Sequence, residues 1–529
     1  MVDRLNKRPG APGQPSVSRA SPRREPRTQE GSEVSVGERE ASRRDGCGEV
    51  VATHGTEGPW ARVRGSGTRG TEAQGTRGRD GEAGHHASGE GTTGGSSRPQ
   101  TVSTKLQRLA EQAKHDPRYV FTNLAHLIDV DFLREAYHRT RKSSAPGIDG
   151  VTAAEYAARL EENLRELHGR LRSGRYRAPA IRRVWIPKED GGQRPIGIPV
   201  FEDKIVQRAV AMVLGAIFEQ DFHEASYGFR EGRSPHGALH ALREQCVRKR
   251  CGWIVDADVR GFFDSIDHAV LKRAIQRRVN DGSVLRLVGK WLKARIVDGE
   301  ELRVNEQGTP QGGVISPMLA NILLHEVLDE WYGRDVRPRM RGETFLIRFA
   351  DDFVIGCERE ADARRVMEVL PKRFARYGLD IHPEKTARID FRKPSAGAGE
   401  RGGNGTFEFL GFTHYWGRSR RGYWVIKRKT AKTRIRRIRT QLWEWCRANR
   451  HQRTGLQHRM LCQKLRGHYQ YFGIRSNYRA LERIYEATRQ AWRYWLSRRS
   501  SESRIPWTRF ARMLAVTYPL PRPRIVHGI

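Results

Sequence analysis

No run of eighteen or more apolar residues occurs in the 529-residue sequence, so no segment reads as a transmembrane helix. The N-terminus has no apolar stretch of the signal-peptide kind, and export by that route is not expected. Cysteine is sparse and scattered: Cys47, Cys246, Cys251, Cys357, Cys446 and Cys462 form no C-x-x-C. Cys246 and Cys251 are the closest pair, with no second pair or suitable His to complete a zinc site, so reduced thiols in a cytoplasmic protein are expected. Acidic residues are also short, with 61 Asp and Glu against 97 Lys and Arg, a formal net charge of +36. A field of that sign condenses on polyanions. Nucleic acid is the first candidate partner and an anionic membrane surface the second, and no membrane partner is expected. Residues 1–100 contain no Ile and a single aromatic, Trp60. This Gly/Arg-rich segment cannot bury enough apolar surface to offset its chain entropy and reads as a disordered tail.

What is present begins near Thr101. Leu106, Leu109, Ala110 and Ala113 recur at helical spacing. Pro-Gly and Asp-Gly punctuation marks residues 143–152 as a loop, and Thr152 can cap a helix running from Ala153 to Leu171. A hairpin follows, Ile181 to Pro187 and Arg194 to Ile198, with Lys188 and Arg194 flanking its turn. Helices are expected at about 201–219, 234–250, 266–278, 284–296, 316–331 and 360–377, and strands at 251–259, near 379–381 and from Thr406 to Trp416. A short hairpin turns at Asp298-Gly299, and a Gly-rich loop spans 307–313. From about 421 Arg and Lys crowd helices interleaved with Trp443, Trp445, Tyr469, Tyr471, Phe472, Tyr478, Trp492 and Trp495. That mixture suits phosphate contacts with base stacking, and equally an ordinary bundle with an aromatic core.

The chemistry gathers around Phe345-Leu346-Ile347-Arg348-Phe349-Ala350-Asp351-Asp352-Phe353-Val354-Ile355. Two adjacent carboxylates interrupt two strand-like apolar runs, so the stretch reads as a hairpin turning at Ala350-Asp351-Asp352. Paired carboxylates lifted out of a sheet repel unless a hard cation such as Mg²⁺ lies between them. A third is supplied by Trp253-Ile254-Val255-Asp256-Ala257-Asp258. Alternation puts Asp256 and Asp258 on one face, and Asp258 is assigned to the metal because Asp256 lies further back. Asp264 or Ser265 is expected to cap the next helix. Contiguous Ser265, Asp267 and His268 point in different directions and do not make a hydrolase triad. His236 and His240 lack the Glu of a zinc protease motif. Asp258, Asp351 and Asp352 together suit two Mg²⁺ ions and an in-line displacement.

From about 140 to 500 the sequence resembles the reverse transcriptase and maturase proteins encoded by group II introns. Phe349-Ala350-Asp351-Asp352 is similar to that family's Y/F-A-D-D box, and Asp258 through Asp264 to its D-[IV]-[KR]-x-F-F-D box. Gln307 through Pro317 resembles its Q-G-x-P-Q-G-x-x-x-S-P loop, and Trp185 to Lys188 with Arg194 to Pro199 its fingers motif. Ala145 to Gly150, Gly378-Leu379, Glu384 to Thr386, Phe409 to Phe412 and Leu465 to Gly473 match further boxes in family order. The resemblance implies an α+β, right-hand polymerase with fingers, a palm on an antiparallel sheet and an α-helical thumb. Fingers and palm would take residues 101–420, the thumb or maturase (X) domain 421–500, and a short basic tail 501–529. It implies Asp258, Asp351 and Asp352 as catalytic metal ligands for Mg²⁺ (two ions), with the Val259 carbonyl beside them. Lys188 and Arg194 would grip the incoming triphosphate, with Lys385 reaching the same phosphates and Gln311 at the nucleotide. Phe263 would be the ring that excludes a ribose 2′-hydroxyl, although its spacing fits a core Phe as well. Arg466, His468 and Tyr471 would contact RNA.

The implied function is RNA-directed DNA synthesis joined to binding of the protein's own group II intron RNA, promoting splicing and retrohoming. Implied partners are that RNA, a DNA target and primer, and dNTPs, with a homodimer left open. Only about thirty residues follow the thumb and they hold no Cys/His cluster, so the resemblance points to an endonuclease-lacking bacterial type. The Pro519–Ile529 run is expected to be disordered. A splicing-only RNA-binding maturase and a reverse transcriptase of retron or diversity-generating type are the alternatives. The intact carboxylates oppose the first, and the Arg466–Gly473 region the second.

Overall fold

The computed structural model describes residues 101–187, 192–303, 307–395, 405–500 and 504–529; the N-terminal tail and Lys188 lie outside them. Among these residues the strands are β1 (Ile181–Pro187), β2 (Gln193–Ile198), β3 (Trp253–Ala257), β4 (Ile296–Asp298), β5 (Glu301–Arg303), β6 (Thr344–Phe349), β7 (Asp352–Cys357), β8 (Ala387–Asp390), β9 (Phe407–Phe409), β10 (Phe412–Arg418) and β11 (Trp424–Thr430). They form three sheets, ordered β2-β1-β4-β5, β6-β7-β3-β8 and β11-β10-β9. The second is antiparallel throughout.

That second sheet is covered on both faces, which explains its continuous apolar runs. Val255, Ala257, Leu346, Phe353 and Ile355 point into a core shared with the N-terminal helices. Their neighbours Ile254, Phe345, Ile347 and Val354 point into a second core shared with β9–β11 and the C-terminal helices. The Phe201–Phe218 helix lies deep in the first core, against Val102–His115 and Val130–Arg139, and is apolar on nearly every side for that reason.

Several local expectations change. Thr152 does cap its helix, in a full capping box with Glu155. That helix breaks after Ala157 and resumes at Leu160, where the Asn163 side chain donates to the Tyr156 carbonyl at 3.0 Å. Asp264 and Ser265 cap nothing. Asp267 accepts from the Val270 amide at 2.8 Å and starts the His268–Gln276 helix. His268 is bound to the Gly308 carbonyl at 2.7 Å, so neither residue is free for a triad. The expected strand near 379–381 is reduced to a single bridge between Val259 and Ile381, and β8 takes the sheet edge. The strand expected from Thr406 is two, folded at Leu410-Gly411, both with left-handed φ.

The helical region begins at Lys432, not 421, because Trp424, Ile426, Arg428 and Thr430 alternate inward and make β11 a strand. Long basic side chains on its outward positions mask that period of two in the sequence. The C-terminus is ordered as well. A helix, Trp507–Val516, buries Phe510 against Trp492, and the run after it docks on the helices. Val526 and His527 donate to the Gly473 carbonyl at 2.7 and 2.9 Å, and the Tyr469 hydroxyl donates to Pro521 at 3.2 Å. Its prolines bring no N–H to satisfy, and the carbonyls of Pro519 and Pro521 accept from His458 and Tyr469. No helix among the described residues is long and apolar enough to cross a membrane.

Candidate active site

The site forms where β3 and the β6–β7 hairpin end together. Asp256 pairs with Val354 and Ala257 with Phe353, where the ladder ends; Asp258 and Asp352 are the next residues out at that end of the sheet. Asp256 is then the diagonal neighbour of Asp352, a separation of about 7–8 Å in antiparallel sheets. Phe349 and Asp352 close the β6–β7 ladder, leaving Ala350 and Asp351 as a two-residue turn with Ala350 left-handed at φ 58°. Gly228 lies directly beneath: a Cβ there would meet the Ala350 nitrogen at 2.2 Å, so no larger residue fits.

Crowded carboxylates resist ionisation. Burial, followed by the charges of Asp256, Asp351 and Asp258, pushes the Asp352 carboxyl well up, against the pull of the Leu410 amide. Asp351 is raised by burial and by Asp258, and held back by Arg194 and Arg348. Asp256 is pushed up to about 7 by burial, then by Asp258 and Glu408. A cluster of oxygen donors that repel in this way fits a hard divalent cation. The fit is in donor type, since no group of three His, Cys, Asp or Glu residues among the described residues reaches metal-holding spacing. Asp258 is drawn instead to Lys385, with 3.4 Å between Nζ and Oδ2.

The expected site residues divide accordingly. Asp258, Asp351, Asp352, Lys385 and Arg194 gather within mutual electrostatic reach, and Val259 follows on the bridge to Ile381. Gln311 lies in a loop packed on β2, where the Gly197 amide donates to its carbonyl at 2.5 Å. Gly312 makes that approach available, with φ 109° and space for a Cβ only 2.6 Å from the Gly197 oxygen. The Gln311 Oε1 is buried without a hydrogen-bond partner among the described residues, as for a group awaiting a ligand. It borders a small recess lined also by Arg183, Pro195, Asp264 and Gln307. Phe263 is half-buried and packs edge-on to Phe262.

The three residues expected to touch RNA separate. Arg466 is exposed. His468 is packed inward, and burial lowers its pKa to about 4. Tyr471 is also committed to the protein: its hydroxyl donates to the Leu410 carbonyl at 2.9 Å, and the amide of Leu410 in turn reaches Asp352. This connection between the C-terminal helices and the carboxylates has no sequence signal beyond the Phe409–Phe412 box. Two further participants were missed. Distance along the strand ranks Asp256 behind Asp258, yet Asp256 is the first charge acting on Asp352. Arg348, a charge in the middle of an apolar strand, was the available clue to what holds the turn.

The description "Reverse transcriptase (RNA-dependent DNA polymerase)" belongs to a family model that matches residues 186–414, the span carrying all of these carboxylates. The chain is similar to Protein YkfC of Escherichia coli (strain K12), 37% identical over 286 residues, covering 48% of this chain and 75% of that protein. It is similar to the group II intron-encoded protein LtrA of Lactococcus lactis subsp. cremoris, 34% identical over 224 residues, covering 42% of this chain and 37% of LtrA. Nuclear intron maturase 1, mitochondrial, of Arabidopsis thaliana is 34% identical over 95 residues, 18% of this chain and 13% of that one.

Proposed function

Since the chain belongs to the group II intron-encoded reverse transcriptase and maturase family, we propose that it copies RNA into DNA and binds its own intron RNA to promote splicing and retrohoming. The observation that carries this reading is that the β3–β7 ladder ends at Ala257 and Phe353, so that Asp258 and Asp352 leave the sheet at one end, beside Asp351 at the turn and close enough for their charges to interact. Asp258, Asp351 and Asp352, with the Val259 carbonyl, would hold two Mg²⁺ ions. Such ions, when bound, supply activation of the attacking 3′-hydroxyl and charge neutralisation at the leaving oxygen. Arg194, already within reach of Asp351, would grip the dNTP triphosphate together with Lys188. Lys385, released from Asp258 once that carboxylate has another cation, would reach the same phosphates. Gln311 would present its unpartnered oxygen to the nucleotide, and Phe263 would close the side facing the ribose 2′ position.

In this reading β1–β2 belongs to the fingers, β6-β7-β3-β8 to the palm, and the helices from Lys432 to Leu496 to the thumb. The RNA face would lie on the Lys432–Ala448 helix, where Lys432, Arg436, Arg439 and Arg447 are exposed, and would include Arg466. Trp443 stands 4.7 Å from the Tyr494 ring, and Arg498 lies 3.6 Å over that ring, a surface able to stack a base.

The test is primer extension on an RNA template with Mg²⁺ and either dNTPs or rNTPs, comparing wild type with Asp351→Ala. Extension with dNTPs alone, abolished by the substitution, is expected. Absence of extension by folded, RNA-binding wild type would overturn the polymerase role. It would favour splicing alone, the reading that suits an Asp258 held by Lys385.

A further inference from the structure

Behind the Asp351–Asp352 turn lies a fully buried polar cluster that none of the roles above requires. Arg348 and Asp329 are both fully buried and form a two-pronged pair, Nε to Oδ1 at 2.8 Å and Nη2 to Oδ2 at 2.5 Å. The remaining Arg348 nitrogen, Nη1, donates to the Ala350 carbonyl at 3.0 Å and to Asn321 Oδ1 at 2.9 Å. Asn321 is fully buried too, and its Nδ2 donates to the Gly228 carbonyl at 2.7 Å. Gly228 is the residue whose backbone presses against Ala350. The circuit therefore runs from the turn through Arg348 and Asn321 to Gly228, and back to the turn. Arg348 is further fixed through its own backbone, which accepts from Tyr227 and donates to Ala225, both at 2.8 Å.

The winding of the chain supports this geometry. Asn321 ends up beside Asp329, eight residues later. In an uninterrupted α-helix of 3.6 residues per turn, that spacing would leave the two about 80° apart. The helix Ser316–Leu324 passes instead into a π-helical stretch, His325–Glu330, whose wider turns remove much of the offset. Both side chains consequently meet one guanidinium. Burial pushes the Asp329 carboxyl up, but Arg348 and His325 hold it down at about 2, so the pair remains charged inside the core. A lone turn-forming strand has no need of such an arrangement; an isolated buried ion pair is weak evidence for stability and a better candidate for fixing one geometry.

We propose that Arg348, Asn321, Asp329 and Gly228 form a positioning clamp that fixes the Ala350-Asp351 turn, so that Asp351 and Asp352 are held ready for cations in their absence. The proposal rests on the reading of those carboxylates given above. The hydrogen bond from the Arg348 side chain to the turn goes to the Ala350 carbonyl, and its charge acts on Asp351 from behind; its part is to position, and it touches no substrate.

The test uses the full chain and three variants: Asn321→Ala, which removes the link to Gly228 while leaving the ion pair; Gly228→Ala, which forces the turn outward; and Arg348→Lys, which keeps the charge but loses the fork. Hydrogen–deuterium exchange of the peptide covering residues 349–353 reads the turn directly, without metal or substrate. Primer extension against Mg²⁺ concentration reads its consequence. Asn321→Ala is expected to speed exchange at the turn at least tenfold, with the rest of the protein unchanged. It should also raise the Mg²⁺ needed for half-maximal extension severalfold, with RNA affinity intact. Arg348→Lys, whose single nitrogen cannot replace the three that bond Asp329, Asn321 and Ala350, should exceed Asn321→Ala in both measurements. Unchanged exchange in folded Asn321→Ala and Gly228→Ala would overturn the clamp whatever the activity. Faster exchange with an unaltered Mg²⁺ requirement would overturn its positioning role. Should wild type fail to extend primers while Asn321→Ala still exchanges faster at the turn, the polymerase reading falls and the clamp stands.

Discussion

A histidine with no hydrogen-bond partner at either ring nitrogen has every reason to stay neutral, and His414 is such a residue. It is fully buried, stacks on Phe407 at 4.8 Å as its cross-strand neighbour, and leaves Nδ1 and Nε2 unpartnered among the described residues. Burial, and secondarily the Arg428 charge, lowers its pKa to about 3. Between the unfolded value near 6.5 and that level, the unfolded chain binds a proton that the folded chain refuses, so stability falls as pH falls. From pH 7 to pH 5 the loss is about 2 kcal/mol for this residue. His414→Phe keeps the stacking and removes the titration. Its melting temperature should drop less than wild type between those pH values; equal drops would show that His414 gains a proton partner on folding. The same scale shows what sequence patterns convey. Strand alternation puts Asp256 and Asp258 on one face, because alternation is a property of the backbone. It could not rank them, because which carboxylate reaches Asp352 depends on the register of a partner strand about a hundred residues away. Asp264 and Asp267 were confused for a related reason. Both stand near a helix start, and only the left-handed Gly261 and the short Phe262–Ser265 turn decide which of them caps.

Among elements, those with a strong local period were legible and those stabilised from outside were not. The β1–β2 and β6–β7 hairpins announce themselves by apolar runs flanking a polar turn, and both are present. The docked C-terminal segment could not be read that way. Its order comes from the Gly473, Tyr469 and His458 groups that receive it, residues fifty or more positions earlier in the chain. Its contribution can be weighed. Burying Leu520 is worth about 2 kcal/mol, and the two amide bonds to Gly473 add about 1 kcal/mol each. His527 also stacks on His236 at 3.8 Å, joining the segment to the Pro235–Arg248 helix. Deleting Leu520–Ile529 should therefore lower the melting temperature by several degrees and loosen the end of the Thr454–Phe472 helix, as read by amide exchange there. A truncated protein that melts with wild type would mean that the segment is only resting on the surface.

For the molecule as a whole, charge and site oppose each other: +36 overall, with a small acidic cluster where the β3 and β6–β7 strands end. A polyanion attracted by the first is repelled by the second unless cations intervene, so RNA affinity and catalysis should respond to different perturbations. Binding that neutralises six or more phosphates should weaken on the order of a thousandfold between 50 and 200 mM salt. Asp351→Ala removes a negative charge and leaves the exposed Lys432, Arg436, Arg439, Arg447 and Arg466 untouched. Its salt slope should equal that of wild type, and its affinity should be equal or slightly higher, even though extension is lost. Filter-binding titrations of both proteins with a structured RNA across that salt range decide the matter. A flat response in wild type would remove the electrostatic account of RNA binding. A shallower slope in Asp351→Ala alone would mean that the acidic cluster organises the RNA face, contrary to the separation argued here between the β-sheet carboxylates and the basic C-terminal helices.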